Sequence, residues 1–243
     1  MPKSESFVTK SLVRIKGKPS ILRLIDQFSN IRNNSMHVVV GHKAKKVIEI
    51  LPSSISSIIV NENYQNDTNL GSLYLAIKKI KKKSSFSDGV LIVEADSFIR
   101  TEEINHFSDF LEKNGRSFKS PTVIWTATGN AKSNQSGGFL EVDNLINQYG
   151  VVKRLLIQKK CPANLYKYKK LYGISWVNNL GVLCWLNYVE KKMDLYLKLK
   201  KLPYYHEPYI ENRKLMDMNY FDVYDQSLSF NYYSELSEIF SRD

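Results

Sequence analysis

Apolar residues recur along the first half of the chain with two alternating periods. Residues 11–15 (SLVRI) form a short extended segment leading into the turn Gly17-Lys18-Pro19, and Ile21, Leu24, Ile25 and Phe28 then predict a helix over 20–30. Residues 37–40 (HVVV) form a continuous apolar run, a buried strand ended by Gly41. A helix follows over 43–51, stopped by Pro52, then a short strand over 58–61. Leu70, Leu73, Ala76, Ile77 and Ile80 share one face of a long amphipathic helix over 68–83. The strongest central-strand pattern is GVLIVEA, 89–95, which ends at Asp96. The second half is less regular. It predicts strands at 122–128, 137–142 and 151–158, a short buried segment at 174–176 and a helix over 181–192. The basic stretch 191–201 continues that helix or starts its neighbour, and 229–240 reads as a closing amphipathic helix.

Strands alternating with helices over short connections predict an α/β fold with a mainly parallel sheet covered on both faces. In such sheets ligands sit beyond the C-terminal ends of the strands, and Gly41, Asn61 and Asp96 fall at those ends.

Composition narrows the class. With 43% hydrophobic and 24% charged residues, the chain lies in the ordinary globular range. It has no run of about 18 apolar residues and no apolar leader segment, so neither a membrane partner nor secretion is expected. Cys161 and Cys184 lack metal-ligand spacing and cannot form a disulfide framework, and a reducing cytoplasm is the expected compartment. The net charge of +11 invites an anionic partner. The lysines, however, are spread through KKIKKK (78–83), 159–160, 167–170 and 198–201, with no nucleic-acid-binding signature beside them. They read as solvated helix faces. Nucleic acid is the less favoured partner, and a homo-oligomer is left open.

Five stretches in order resemble the nucleotidyltransferase family of sugar-nucleotidyltransferases and phosphocholine cytidylyltransferases. They are TKSLVRIKGKPSILRLIDQF (9–28), HVVVGHKAKKVIEIL (37–51), VNENYQNDTNLGSLYLAI (60–77), GVLIVEADSFI (89–99) and YGISWVN (172–178). The resemblance implies a Rossmann-like, GT-A type three-layer sandwich with a mainly parallel mixed sheet, in one domain over residues 1–243. It departs from the family at its start, where a glycine-rich triphosphate loop would precede Met1; relative to the family the chain is N-terminally incomplete. The implied activity couples a nucleoside triphosphate, CTP first, to phosphocholine or a sugar 1-phosphate and releases pyrophosphate. Its product would be an activated alcohol or nucleotide-sugar for cell-surface polysaccharide.

The resemblance also implies roles for residues. Asp96 is the expected ligand of Mg²⁺, with Glu94 as a helper, and a second carboxylate comes from Asp222 or Asp225, with Asp225 preferred. Each aspartate has a structural alternative as a turn or helix-capping residue. Lys10 would neutralise phosphate charge, or lie plainly on the surface. Asn69, Gly71, Ser72 and Gly41 would meet the nucleotide, with Thr68 as a candidate cap of their helix. Tyr172, Trp176, Tyr205 and Glu207 would bind the acceptor, the aromatic rings serving a quaternary ammonium or simply a core. No catalytic histidine is assigned. Three other readings stay open: an inactive or truncated relative with a binding or structural role, a GT-A glycosyltransferase with Glu94-Ala95-Asp96 in place of Asp-x-Asp, and a nucleic-acid-binding module.

Overall fold

Where apolar residues recur every three or four positions, the computed structural model forms helices; where they run together, it forms strands. It describes residues 9–29, 31, 35–83, 86, 88–132, 135–143, 148–159, 162–223 and 228–229. The chain divides into two compact units, one of Met1–Phe86 with Trp185–Pro208 and one of Ser87–Cys184 with Tyr209–Asp243.

In the first unit, β1 (Arg14–Ile15) and β2 (Lys18–Pro19) form a hairpin that turns through Lys16 and Gly17, both at positive φ. Helix α1 (Ser20–Ser29) buries Leu24, Ile25 and Phe28, the predicted face. β3 (His37–Val40) pairs in parallel with β4 (Ser57–Val60), His37 opposite Ser57 through Val40 opposite Val60. A parallel pair needs a crossover, and α2 (Ala44–Ile48) lies on it. Val38, Val40 and Val47 form the core between them, with Leu12, Ile21 and Ile58 packed around it. Helix α3 (Leu70–Lys83) buries Leu70, Ala76 and Ile77.

The second unit is built from β5 (Val90–Val93), β6 (Ser97–Phe98), α4 (Thr101–Asn114), β7 (Thr122–Asn130), β8 (Gly137–Val142), β9 (Tyr149–Gln158) and β10 (Tyr168–Val177). Helix α5 (Asn179–Tyr196) begins here and gives most of its length to the first unit, and α6 (Glu207–Glu211), β11 (Asp217–Asp222) and β12 (Leu228–Ser229) complete the order. One sheet runs β5-β10-β7-β11-β9-β8, and β10 also pairs with β8, so five strands close into a barrel-like ring with β5 outside it. β10 manages this by dividing one edge: Tyr168–Lys170 bond to β8, whereas Ile174–Val177 bond to β5. Gly173 stands at the changeover, where the register against β7 also shifts. A Cβ there would lie 2.4 Å from Ser97 Oγ and 2.9 Å from Glu94 Cβ, so only glycine lets the turn after β5 close onto β10. β7, paired on both sides, is buried from Thr122 to Thr128 without alternation, as a strand covered on both faces should be. Trp125 beneath it meets Tyr209 edge to face at 5.1 Å, an arrangement worth about 0.5–1.5 kcal/mol beyond its area.

The α/β class with a mixed sheet is as expected, but three expectations need correction. Among the described residues only β3–β4 and β7–β11 pair in parallel; every other ladder is antiparallel, because hairpins and the reversed β10 dominate the second unit. β5, read as a central strand, lies at the end of the sheet order and is half-buried throughout. The extended segment 174–176 is the end of a ten-residue strand, and α4 was not predicted at all. Residues 230–240 of the predicted closing helix lie outside the described residues; its first position, Ser229, belongs to β12.

Candidate active site

In the first unit, Gly41 and Asn61 are the first residues past β3 and β4. The group that organises this end is Asp67, only 9% exposed. Its carboxylate accepts the N–H of Gly71 (2.9 Å) and of Ser72 (2.8 Å), the Ser72 hydroxyl (2.9 Å) and the Asn61 amide (2.8 Å). Two of the N–H groups left over at the N-terminus of α3 are thereby satisfied, by an anion placed where the helix dipole favours one. Asn61 also donates to Ser72 Oγ (3.0 Å) and accepts the N–H of Asn63 (3.0 Å). The 202–205 segment is tied to the same helix start. Thr68 donates to the Leu202 carbonyl (2.9 Å), the Leu202 N–H donates to the Asn66 carbonyl (2.6 Å), and Asn69 Oδ1 accepts the Tyr205 N–H (2.8 Å).

In the second unit, β5 and β7 each run antiparallel to β10, and β11 runs parallel to β7, so β5, β7 and β11 share one direction. Their C-terminal ends carry Glu94 to Asp96, Gly129 and Asp222. Asp96 is half-buried at the third position of a turn closed by the Ser97 N–H donating to the Glu94 carbonyl (3.0 Å). The Glu94 N–H donates to the Gly173 carbonyl (2.7 Å), which joins GVLIVEAD to YGISW. Lys169, 1% exposed, donates to the Asp222 carboxylate, 5% exposed, which also accepts the Gly129 N–H (3.2 Å). Glu103 on α4 is near enough to Asp222 to feel its charge. Burial pushes its carboxyl above the usual carboxylate range; His106 opposes the shift and Asp222 adds to it.

No protein-family model matches the chain, and no curated protein matches it either. Solved structures do. CTP:phosphocholine cytidylyltransferase of Streptococcus pneumoniae superposes with a TM-score of 0.71 at 14% identity, over 98% of this chain and 90% of that one. A Bacillus anthracis protein assigned as a glucose-1-phosphate thymidylyltransferase gives 0.72 at 12%, over 100% and 90%. CMP:2-keto-3-deoxy-manno-octonic acid synthetase, in complex with CTP, gives 0.60 at 13%, over 96% and 90%. The chain shares the fold of these proteins.

Within this shared fold the predicted residues fall into separate groups. In the first unit Gly41, Asn69, Gly71 and Ser72 share the strand-end region of β3, β4 and α3. Gly41 lies beneath Tyr64, whose ring is 5.8 Å from that of His42. Gly71 has a structural reason of its own, since a Cβ there would lie 2.9 Å from Leu202 and 3.1 Å from the Asp67 carboxylate. Asn69 holds the Tyr205 backbone, and the cap expected from Thr68 is supplied by Asp67. Tyr205 is buried, its carbonyl accepting the Trp185 indole N–H (3.1 Å) and its ring 3.8 Å from that of His206. Glu207 opens α6, and Lys10 sits half-buried in a short 3-10 turn, Lys10–Leu12.

In the second unit Tyr172 and Trp176 do not form one aromatic group. Four strand residues separate them by about 13 Å. Tyr172 is buried near the Glu94 end, whereas Trp176 pairs with Leu91 near the start of β5 and packs on Phe118 at 6.0 Å. Asp225 lies outside the described residues. Among the described residues no three His, Cys, Asp or Glu side chains cluster closely enough to hold a metal ion by themselves. Magnesium commonly takes one or two carboxylates and fills its shell with water and phosphate oxygens, and Asp96 supplies a donor of that type; Asp222 is held by the Lys169 ammonium. Sequence reasoning missed Asp67, Lys169 and Glu103. Only Asp67, an acid just ahead of a predicted helix, left a local signal.

Proposed function

We propose that this chain is an Mg²⁺-dependent nucleotidyltransferase that couples a nucleoside triphosphate, CTP first, to phosphocholine or a sugar 1-phosphate. The observation that carries the reading is that β5 and β11, two strands of one direction, bring Glu94, Asp96 and Asp222 to one end of their unit, in a fold shared with enzymes of that kind. An acceptor phosphate oxygen attacks the α-phosphorus of the nucleotide. A new P–O bond forms as the bond to the β-phosphate oxygen breaks, and its electron pair leaves with pyrophosphate. Both reactants are anions, so the protein's task is positioning and charge neutralisation.

Asp96 would hold the cation, which supplies Lewis-acid polarisation and charge neutralisation at the phosphates when bound. Lys10 would offset phosphate charge. Gly41 and Ser72 would border the nucleotide, with Asn69 positioning that wall through the Tyr205 backbone. Tyr172, at the Glu94 end of β10, would meet the acceptor. The substrates are those of the cytoplasm, where the enzyme would act.

The test is pyrophosphate release with Mg²⁺ present, pairing CTP, UTP and dTTP in turn with phosphocholine and with sugar 1-phosphates. Release with one pair, reduced about a hundredfold or more in Asp96→Ala, is expected. A folded protein that releases none with any pair, or an Asp96→Ala variant as active as wild type, overturns the reading.

A further inference from the structure

The end of α5 and the residues after it read LYLKLKKL, 195–202. Tyr196 and Leu202 are buried, at 2% and 7%, and anchor the segment. Between and beside them Leu195, Leu197 and Leu199 are 52%, 60% and 49% exposed. Single exposed leucines are ordinary, but three within five residues make a patch. Around it stand Lys191, Lys192, Lys198, Lys200 and Lys201, with Asp194 the one acid from 191 to 201. Leu197, Leu199 and Lys200 also line a cleft of about 190 Å³ with Asn63, Asn66 and Leu202. A bridge from Lys78 to Glu190 (4.0 Å) sets α3, with exposed Lys81 and Lys82, alongside α5.

We propose that this face docks on a membrane surface carrying anionic phospholipid. Leucines would enter the headgroup boundary while the flanking lysines stay at phosphate level, the division of labour of an interfacial segment. Charge complementarity selects the partner: the patch is basic within a chain of net charge +11. From 195 to 202 its exposed apolar side chains are leucines, not the aromatic rings that stack on bases, which favours lipid over nucleic acid. The lack of an apolar run long enough to span a bilayer argues against a spanning segment only. No helix among the described residues could cross a membrane, and surface binding needs none.

The experiment is flotation of the full chain with vesicles of phosphatidylcholine, alone or with about a third phosphatidylglycerol, at low and raised salt. Wild type is expected to float with the anionic vesicles and to be released by salt. Lys198→Gln/Lys200→Gln should weaken binding roughly tenfold or more, at about fivefold per lysine. Leu197→Ser/Leu199→Ser, at exposed positions and checked by circular dichroism, should weaken it about tenfold with the lysines intact. Equal binding to neutral and anionic vesicles, binding to neither, or leucine variants that bind as wild type each overturn the proposal. So does tighter binding to a single-stranded RNA oligonucleotide at the same salt. No nucleotide takes part, so failure here leaves the nucleotidyltransferase reading standing, and the converse also holds.

Discussion

Replacing Lys169 by methionine tests how the ring of strands tolerates charge. Lys169 and Asp222 are 1% and 5% exposed, and they face each other across β10 and β11. Methionine keeps the length of the side chain and its place near the Tyr220 ring, where the ammonium lies 5.3 Å from the centroid. It removes the cation and leaves a buried carboxylate, with Glu103 adding negative potential nearby. Breaking one side of a buried ion pair costs about 3–5 kcal/mol. The double variant Lys169→Met/Asp222→Asn removes both charges, and its asparagine can still accept the Gly129 N–H. It should lose only about 1–2 kcal/mol, so that the two changes are strongly coupled. Urea unfolding followed by circular dichroism and tryptophan fluorescence measures all four proteins. A Lys169→Met cost below about 1 kcal/mol, or a double variant equal to the sum of the singles, would refute the argument.

Two further outcomes follow from the same physics. Asp67→Ala removes the acceptor of two helix-start N–H groups, the Ser72 hydroxyl and the Asn61 amide, and should cost about 2–3 kcal/mol in urea unfolding; a loss under about 0.5 kcal/mol would show that water replaces it freely. Glu103 has a folded-state pKa raised mainly by burial, so the folded state binds its proton more tightly than the unfolded chain does. Its contribution to stability therefore falls as pH rises through the carboxylate range, and Glu103→Gln should be more stable than wild type at neutral pH, with the gap closing in acid; a gap independent of pH would contradict this.

What could be read in the sequence was what local pattern determines. α1, α3, β3, β4 and the strand ends at Gly41, Asn61 and Asp96 all follow from runs and periods within a few residues. β10 was legible only at its end, because Lys169 and Lys170 look like solvent-facing residues until Asp222, 53 positions later, supplies the partner that lets Lys169 enter the interior. Asn69 shows the same limit, since its partner is Tyr205, 136 residues away. For α4 the signal was present in Ile104 and Phe107, three apart, and in Glu102 and Glu103 in the first turn, yet its many polar residues masked the narrow apolar stripe. The direction of the strands could not be inferred from their pattern, since the same apolar run serves either kind of ladder.

The position of β11 has a consequence for how each copy of this protein is made. β11 is the last strand of the ring to leave the ribosome, yet it fills the gap between β7 and β9. From the time Asn130 emerges until Asp222 does, the edge of β7 that β11 will occupy has no partner from the ring. At ordinary rates of translation that interval lasts roughly 5–20 s. The waiting edge reads VIWTA, 123–127, without a single charge to discourage a like strand on a neighbouring nascent chain. Crowded polysomes are thus where this fold is most exposed to mispairing, and chaperone demand should fall on the interval before β11 is complete.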